Sequence, residues 1–87
     1  MNDIVKKIGL MGLVPVVVIE DEKDALSTAK AMIDGGLPIM EITLRTDAGL
    51  PSIRAITKAY PQILMGAGTV LSVDMAKAAV DAGAQFI

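Results

Sequence analysis

Met40-Glu41-Ile42-Thr43-Leu44-Arg45-Thr46 reads as an apolar strand with a carboxylate and a guanidinium set into it. Residues two apart on a strand share a face, so Glu41, Thr43 and Arg45 look one way and Met40, Ile42 and Leu44 the other. A parallel strand covered on both faces is nearly all Val, Ile and Leu. Charges inside such a strand are costly unless they are paired or used. This stretch therefore sets both the fold class and the place to look for chemistry.

Working outward, Pro38 to Arg45 is expected as the second of a series of strands. Before it, Leu13 to Ile19 is apolar on both faces, as a covered parallel strand should be, with Pro15 placing its start at an unpaired position. Asp21 to Ile33 has helical spacing, with Ala25, Ala29, Met32 and Ile33 as its apolar stripe and Gly35-Gly36 as its stop. Asn2 is placed to cap a short helix over Asp3 to Ile8.

After it, Asp47 to Tyr60 reads as a helix with Leu50, Ile53 and Ile56 on one face and Pro51 in its first turn. Ile63 to Gly66 is the third strand, closing in a small-residue turn, Gly66-Ala67-Gly68-Thr69. Ser72 caps a helix over Val73 to Asp81, Gly83 ends it, and Ala84 to Ile87 opens a fourth strand. Strands that return through helices predict an α/β fold with a parallel sheet. Ala29-Lys30-Ala31-Met32-Ile33-Asp34-Gly35-Gly36 is echoed by Ala76-Lys77-Ala78-Ala79-Val80-Asp81-Ala82-Gly83, which suggests repeated βα modules. Ala-Lys-Ala helices with glycine stops are also common without any repeat.

Composition narrows the function. The chain has 87 residues, 53% of them hydrophobic, with Tyr60 and Phe86 as its only aromatics, so the core is aliphatic. A net charge of −2 gives no basic field for nucleic acid. There is no cysteine and no histidine, which excludes a disulfide scaffold, thiolate zinc sites and Cys or His catalysis. No apolar run reaches the roughly 20 residues that cross a bilayer, and Met1 to Leu10 lacks the apolar segment of a signal peptide. A cytoplasmic protein without membrane contact is expected.

Four groups are candidates for chemistry. Glu41 inside an apolar strand feels two opposing pulls, burial against its charge and a nearby arginine in its favour, which suits a proton shuttle. The alternative is a structural ion pair with Arg45 or a lysine. Arg45, at the C-terminal end of its strand, has the planar fork that grips a carboxylate or phosphate. The alternative is a solvated arginine paired with Asp47. Gly66 and Gly68 would let backbone approach a ligand closely, and Thr69 adds a hydroxyl. The third glycine of a dinucleotide motif and the Gly-Lys-Ser/Thr of a phosphate loop are missing, so a plain turn fits equally. All six lysines, Lys6, Lys7, Lys23, Lys30, Lys58 and Lys77, fall on predicted helices or their ends and read as solvated charges.

Gly12-Leu13-Val14-Pro15-Val16, Glu41-Ile42-Thr43-Leu44-Arg45-Thr46 and Gly66-Ala67-Gly68-Thr69-Val70-Leu71 resemble, in order and spacing, the N-terminal half of the 2-keto-3-deoxy-6-phosphogluconate aldolase family, which includes the 4-hydroxy-2-oxoglutarate aldolases. Asp81 to Ile87 also looks like that family's third helix running into strand four. The resemblance implies the N-terminal half of a (β/α)₈ TIM barrel, with four parallel strands and alternating helices, so that residues 1–87 form a partial aldolase domain. It implies a homo-oligomer, usually a trimer, and class I aldol cleavage through a lysine Schiff base with no metal or cofactor. The substrate would be a 2-keto acid, and pyruvate one product, with glyceraldehyde 3-phosphate or glyoxylate as the other.

By the same resemblance, Glu41 matches the family's general acid/base, and Arg45 and Thr69 match the groups that hold the substrate carboxylate. The Leu-Arg-Thr after the glutamate looks more like the phosphogluconate and hydroxyglutarate branch than the galactonate-type relatives. The family's Schiff-base lysine sits on a sixth strand, beyond Ile87. The chain therefore reads as truncated and inactive alone. Two other functions compete. One is a non-catalytic half-barrel that self-associates through its open edges. The other is a small doubly wound α/β binding domain.

Overall fold

A computed structural model describes residue 12 and residues 14–87. The helix expected over Asp3 to Ile8, Lys6, Lys7 and Leu13 lie outside the described residues. Three parallel strands form one sheet in the order β1-β2-β3: β1 is Val16–Val17, β2 is Ile39–Thr43 and β3 is Leu64–Gly68. A short 3₁₀ helix, Glu22–Asp24, leads into α1, Ala25–Asp34; α2 is Gly49–Ala59 and α3 is Val73–Ala82. Strands that are neighbours in sequence are neighbours in the sheet. The described residues hold no reversal of strand order, which a doubly wound sheet would show at its switch point.

The helices cover one face. Met40 and Ile42 of β2 and Met65 and Ala67 of β3 pack there against Ala25, Ala29, Ile53, Ile56, Ala79 and Ala82. The expected stripes hold: Ala25 and Ala29 of α1 are buried, Met32 and Ile33 pack against them, and Ile53 and Ile56 of α2 are buried with Leu50 beside them. Ser72 caps α3 as expected, its Oγ accepting a hydrogen bond from the Met75 N–H at 3.1 Å.

The internal echo reappears as geometry. At the end of α1 the Leu37 N–H bonds the Met32 carbonyl (2.9 Å) and the Gly36 N–H bonds that of Ile33 (3.0 Å). At the end of α3 the Ala84 N–H bonds Ala79 (2.9 Å) and the Gly83 N–H bonds Val80 (3.0 Å). Both are Schellman endings, with the echoed glycines at φ 81° and 118°.

Four expectations need correction. The first strand, read as Leu13 to Ile19, is paired among the described residues at Val16–Val17, where β2 is its one described neighbour and Pro15 has no N–H to give. The Pro15 carbonyl still accepts from the Glu41 N–H at 2.9 Å. The second strand stops at Thr43, so Leu44 and Arg45 stand in a turn. The Leu44 N–H makes a last bond to the Gly68 carbonyl (2.8 Å), after which the Thr46 hydroxyl, donating to the Ile19 carbonyl, draws the chain off the sheet.

Third, Gly66-Ala67-Gly68 belongs to β3 and not to a turn. Fourth, among the described residues the sheet has three strands, and the expected fourth is not formed as a strand. The stretch after α3 adds one parallel bridge, Gly66 to Phe86, through Ala67 N–H to Phe86 carbonyl (3.0 Å) and Gln85 N–H to Met65 carbonyl (2.7 Å).

Candidate active site

The face of the sheet away from the helices is set by the same alternation that buries Met40 and Ile42. Parallel register places Val16, Glu41, Gly66 and Phe86 in one row across it, and Thr43 and Gly68 in the row above. The first row is apolar except for Glu41. Val16 is 62% exposed, so this face is open on the β1 side. Phe86 lies over Gly66, where an added Cβ would collide with its ring.

Glu41 is half-buried. Its carboxylate bends up the strand and over Gly68: a Cβ built there would stand 3.0 Å from Glu41 Cδ and 3.2 Å from Oε2. The two glycines singled out for close approach thus make room for side chains of this protein. Gly66 admits the Phe86 ring and Gly68 admits the Glu41 carboxylate. That is also why both stay in the strand. A residue with a side chain at either position would displace what crosses it.

Thr43 is buried, on the same face and opposite Gly68. Thr69 follows Gly68 directly and is half-buried, with φ 55°, the one described non-glycine residue in the left-handed region. A β-branched residue there is under backbone strain of order 1–3 kcal/mol, which tends to gather at functional positions. Arg45 is exposed in the turn that follows β2. The ion pairs among the described residues are Lys23–Asp21 and Lys30–Asp34, so neither expected structural partner, Asp47 for Arg45 or Arg45 for Glu41, is engaged. Glu41 and Thr43 on β2 thus share the face of Gly68 on β3, Thr69 follows directly after Gly68, and Arg45 stands in the turn after β2 with no carboxylate partner among the described residues.

The described lysines, Lys23, Lys30, Lys58 and Lys77, are all exposed. Lys30 is held above the ordinary lysine range by its hydrogen bond and ion pair with Asp34 (2.8 Å), the opposite of what an amine nucleophile needs. Two features were missed by sequence reasoning. One is the Phe86 ring over Gly66, for which the single phenylalanine of the chain was a faint signal. The other is the state of the Thr43 hydroxyl: the alternation placed it on the Glu41 face, but its burial without a hydrogen-bond partner among the described residues was not read.

A family model described as KDPG and KHG aldolase matches residues 4–87. The KHG/KDPG aldolase of Escherichia coli K12 is 43% identical over 74 residues, covering 85% of this chain and 35% of that protein. The 2-dehydro-3-deoxy-phosphogluconate aldolase of Zymomonas mobilis is 44% identical over 86 residues, covering 99% of this chain and 41% of its own length. A crystal structure of the 2-keto-3-deoxy-6-phosphogluconate aldolase of Zymomonas mobilis ZM4 with 3-phosphoglycerate superposes with TM-score 0.87 at 44% identity, over 99% of this chain and 41% of that one. The KDPG aldolase of Legionella pneumophila, with pyruvate captured as a covalent carbinolamine intermediate, superposes with TM-score 0.81 at 38% identity, over 84% of this chain and 35% of that one. The chain thus spans about two fifths or less of the length of these relatives.

Proposed function

The chain belongs to the KDPG and KHG aldolase family, and we infer that it supplies the opening βα units of a (β/α)₈ aldolase barrel that cleaves a 2-keto acid to pyruvate and an aldehyde. The observation that carries this reading is the Glu41 carboxylate lying over Gly68, with Thr69 next in the chain in a strained conformation and Arg45 without a carboxylate partner among the described residues. The strand ends that bring these groups together are where a βα barrel does its chemistry.

In this reading an amine attacks the 2-keto carbon, the carbinolamine loses water, and the resulting iminium takes up the electron pair of the breaking C–C bond. The proton leaving the substrate hydroxyl passes to Glu41, which also serves carbinolamine formation and dehydration. Arg45 and Thr69 hold the substrate carboxylate, the arginine through two parallel N–H bonds. The amine is none of the described lysines, all of which are exposed.

The test is a chimera in which these 87 residues replace the matching segment of the Zymomonas mobilis aldolase. It should release pyruvate from 2-keto-3-deoxy-6-phosphogluconate, and borohydride should trap pyruvate on it. A folded chimera that does neither overturns the reading. Within it, Arg45→Ala should weaken pyruvate binding by roughly 10- to 100-fold, the value of a charge-assisted hydrogen bond or a bidentate pair. Unchanged pyruvate affinity by calorimetry would remove Arg45 from the carboxylate grip.

A second reading, self-association of the chain as a non-catalytic half-barrel, is favoured by the large apolar side chains left exposed on β1, on α3 and in the loop before α3, namely Val16, Val73, Val80 and Leu71. Sedimentation of the 87-residue chain decides it: a folded monomer at micromolar concentration leaves this reading without support.

A further inference from the structure

We propose that Thr43 is a positioning residue of this site, its hydroxyl donating a hydrogen bond to the Glu41 carboxylate and holding it at the strand end. The catalytic consequence rests on the aldolase reading; the contact itself does not.

Thr43 is 2% exposed, and among the described residues its Oγ1 has no hydrogen-bond partner. Protein interiors rarely keep a hydroxyl in that state, because it has given up water and gained nothing. Ser52 is the other such group among the described residues, but it sits on α2, where a serine can turn to a carbonyl of its own helix. Thr43 lies in a strand whose neighbouring carbonyls serve the ladder. Its register partner, Gly68, has no side chain to offer. The nearby Thr46 hydroxyl is already committed to the Ile19 carbonyl.

Among the described residues, Glu41 offers the acceptor nearest in the chain on the same strand face. It lies two residues back on the same face, about 6.6 Å along the strand, within the reach of a glutamate side chain. Its carboxylate already leans onto Gly68, the residue directly opposite Thr43. A hydroxyl-to-carboxylate bond is charge-assisted and short, so it selects one carboxylate position. Thr43 would act on how often Glu41 meets the moving proton, and so on turnover more than on binding.

Two substitutions test it. T43V keeps the shape and deletes the hydroxyl, whereas T43S keeps the hydroxyl. In the 87-residue chain carrying a ¹³C label at the Glu41 carboxyl carbon, that resonance should move in T43V and return toward its original position in T43S, with or without added pyruvate. One resonance position common to all three proteins overturns the contact. In the chimera, T43V should lower kcat about tenfold or more while KM stays within about twofold, and T43S should recover most of the loss.

Thermal melting separates the idle case. Valine removes an unpartnered polar atom, so a hydroxyl without a role predicts a T43V protein that melts higher and turns over at the same rate, and that pair of results overturns the proposal. A folded but inactive chimera with Thr43 in place refutes the aldolase reading alone, and the carbon resonance still decides the contact.

Discussion

Glu41→Gln in the chimera should lower turnover by roughly two to four orders of magnitude, the range a positioned general acid/base supplies, with KM for the keto acid nearly unchanged. Glutamine keeps the length and shape of the side chain. It can still lie over Gly68, where the open backbone leaves space for an amide as well as a carboxylate. What it loses is the ability to take up a proton. The competing account makes Glu41 a structural anion. That account predicts a drop in melting temperature with a rate loss no larger than the lost folded fraction. It is already weakened by the absence of an ion pair to Glu41 among the described residues. Equal turnover in Glu41→Gln and the parent would remove the residue from the mechanism, whatever its stability.

Gly49→Ala should destabilise the chain by about 1–3 kcal/mol, the usual cost of forcing a methyl group into filled space. The local expectation has the opposite sign. Gly49 opens α2, and alanine within a helix is worth about 0.5–1 kcal/mol over glycine. The new Cβ, however, would stand 2.6 Å from the Thr43 carbonyl oxygen and 3.3 Å from Leu44 Cα, both main-chain atoms without a rotamer to change. The clash is the larger effect, so the net is a loss, worth roughly 4–8 °C per kcal/mol in a domain of this size. Because the Thr43 carbonyl being pushed belongs to the same peptide unit as the Leu44 N–H, hydrogen exchange at that N–H, which donates to the Gly68 carbonyl, should quicken with it. Gly35→Ala is the control. Its nearest contact is the Ala31 carbonyl at 3.3 Å, and it should melt much closer to the parent. If Gly49→Ala melts higher than the parent, the tight approach of α2 to β2 is wrong.

The order of elements was legible because local signals agree with the packing. Apolar runs gave the strands, the 3.6-residue stripes gave the helices, and Ser72 and Gly83 marked the ends of α3. Strand ends were not legible, since they depend on partners distant in sequence. Val16–Val17 is short because one neighbour pairs with it. Arg45 leaves the strand because Thr46 reaches back to Ile19. Gly66-Ala67-Gly68 has the composition of a turn, and only the ring of Phe86, arriving from the stretch after α3, and the carboxylate of Glu41, arriving from β2, show that it must be extended. Glu41 was legible as an anomaly, a charge within an apolar run. The strained backbone of Thr69 and the unpartnered hydroxyl of Thr43 leave no mark on sequence pattern at all.

The matched Schellman endings of α1 and α3 carry a consequence for how such a chain can change. Each helix closes with the same pair of hydrogen bonds around a left-handed glycine before the chain turns back toward the sheet, so the two helix ends share one kind of joint. Parts that share a joint can be exchanged without refitting their neighbours, which makes this segment resemble a set of interchangeable cassettes: lengthening by duplication, or trading one unit for another, would leave the launch of the following strand intact.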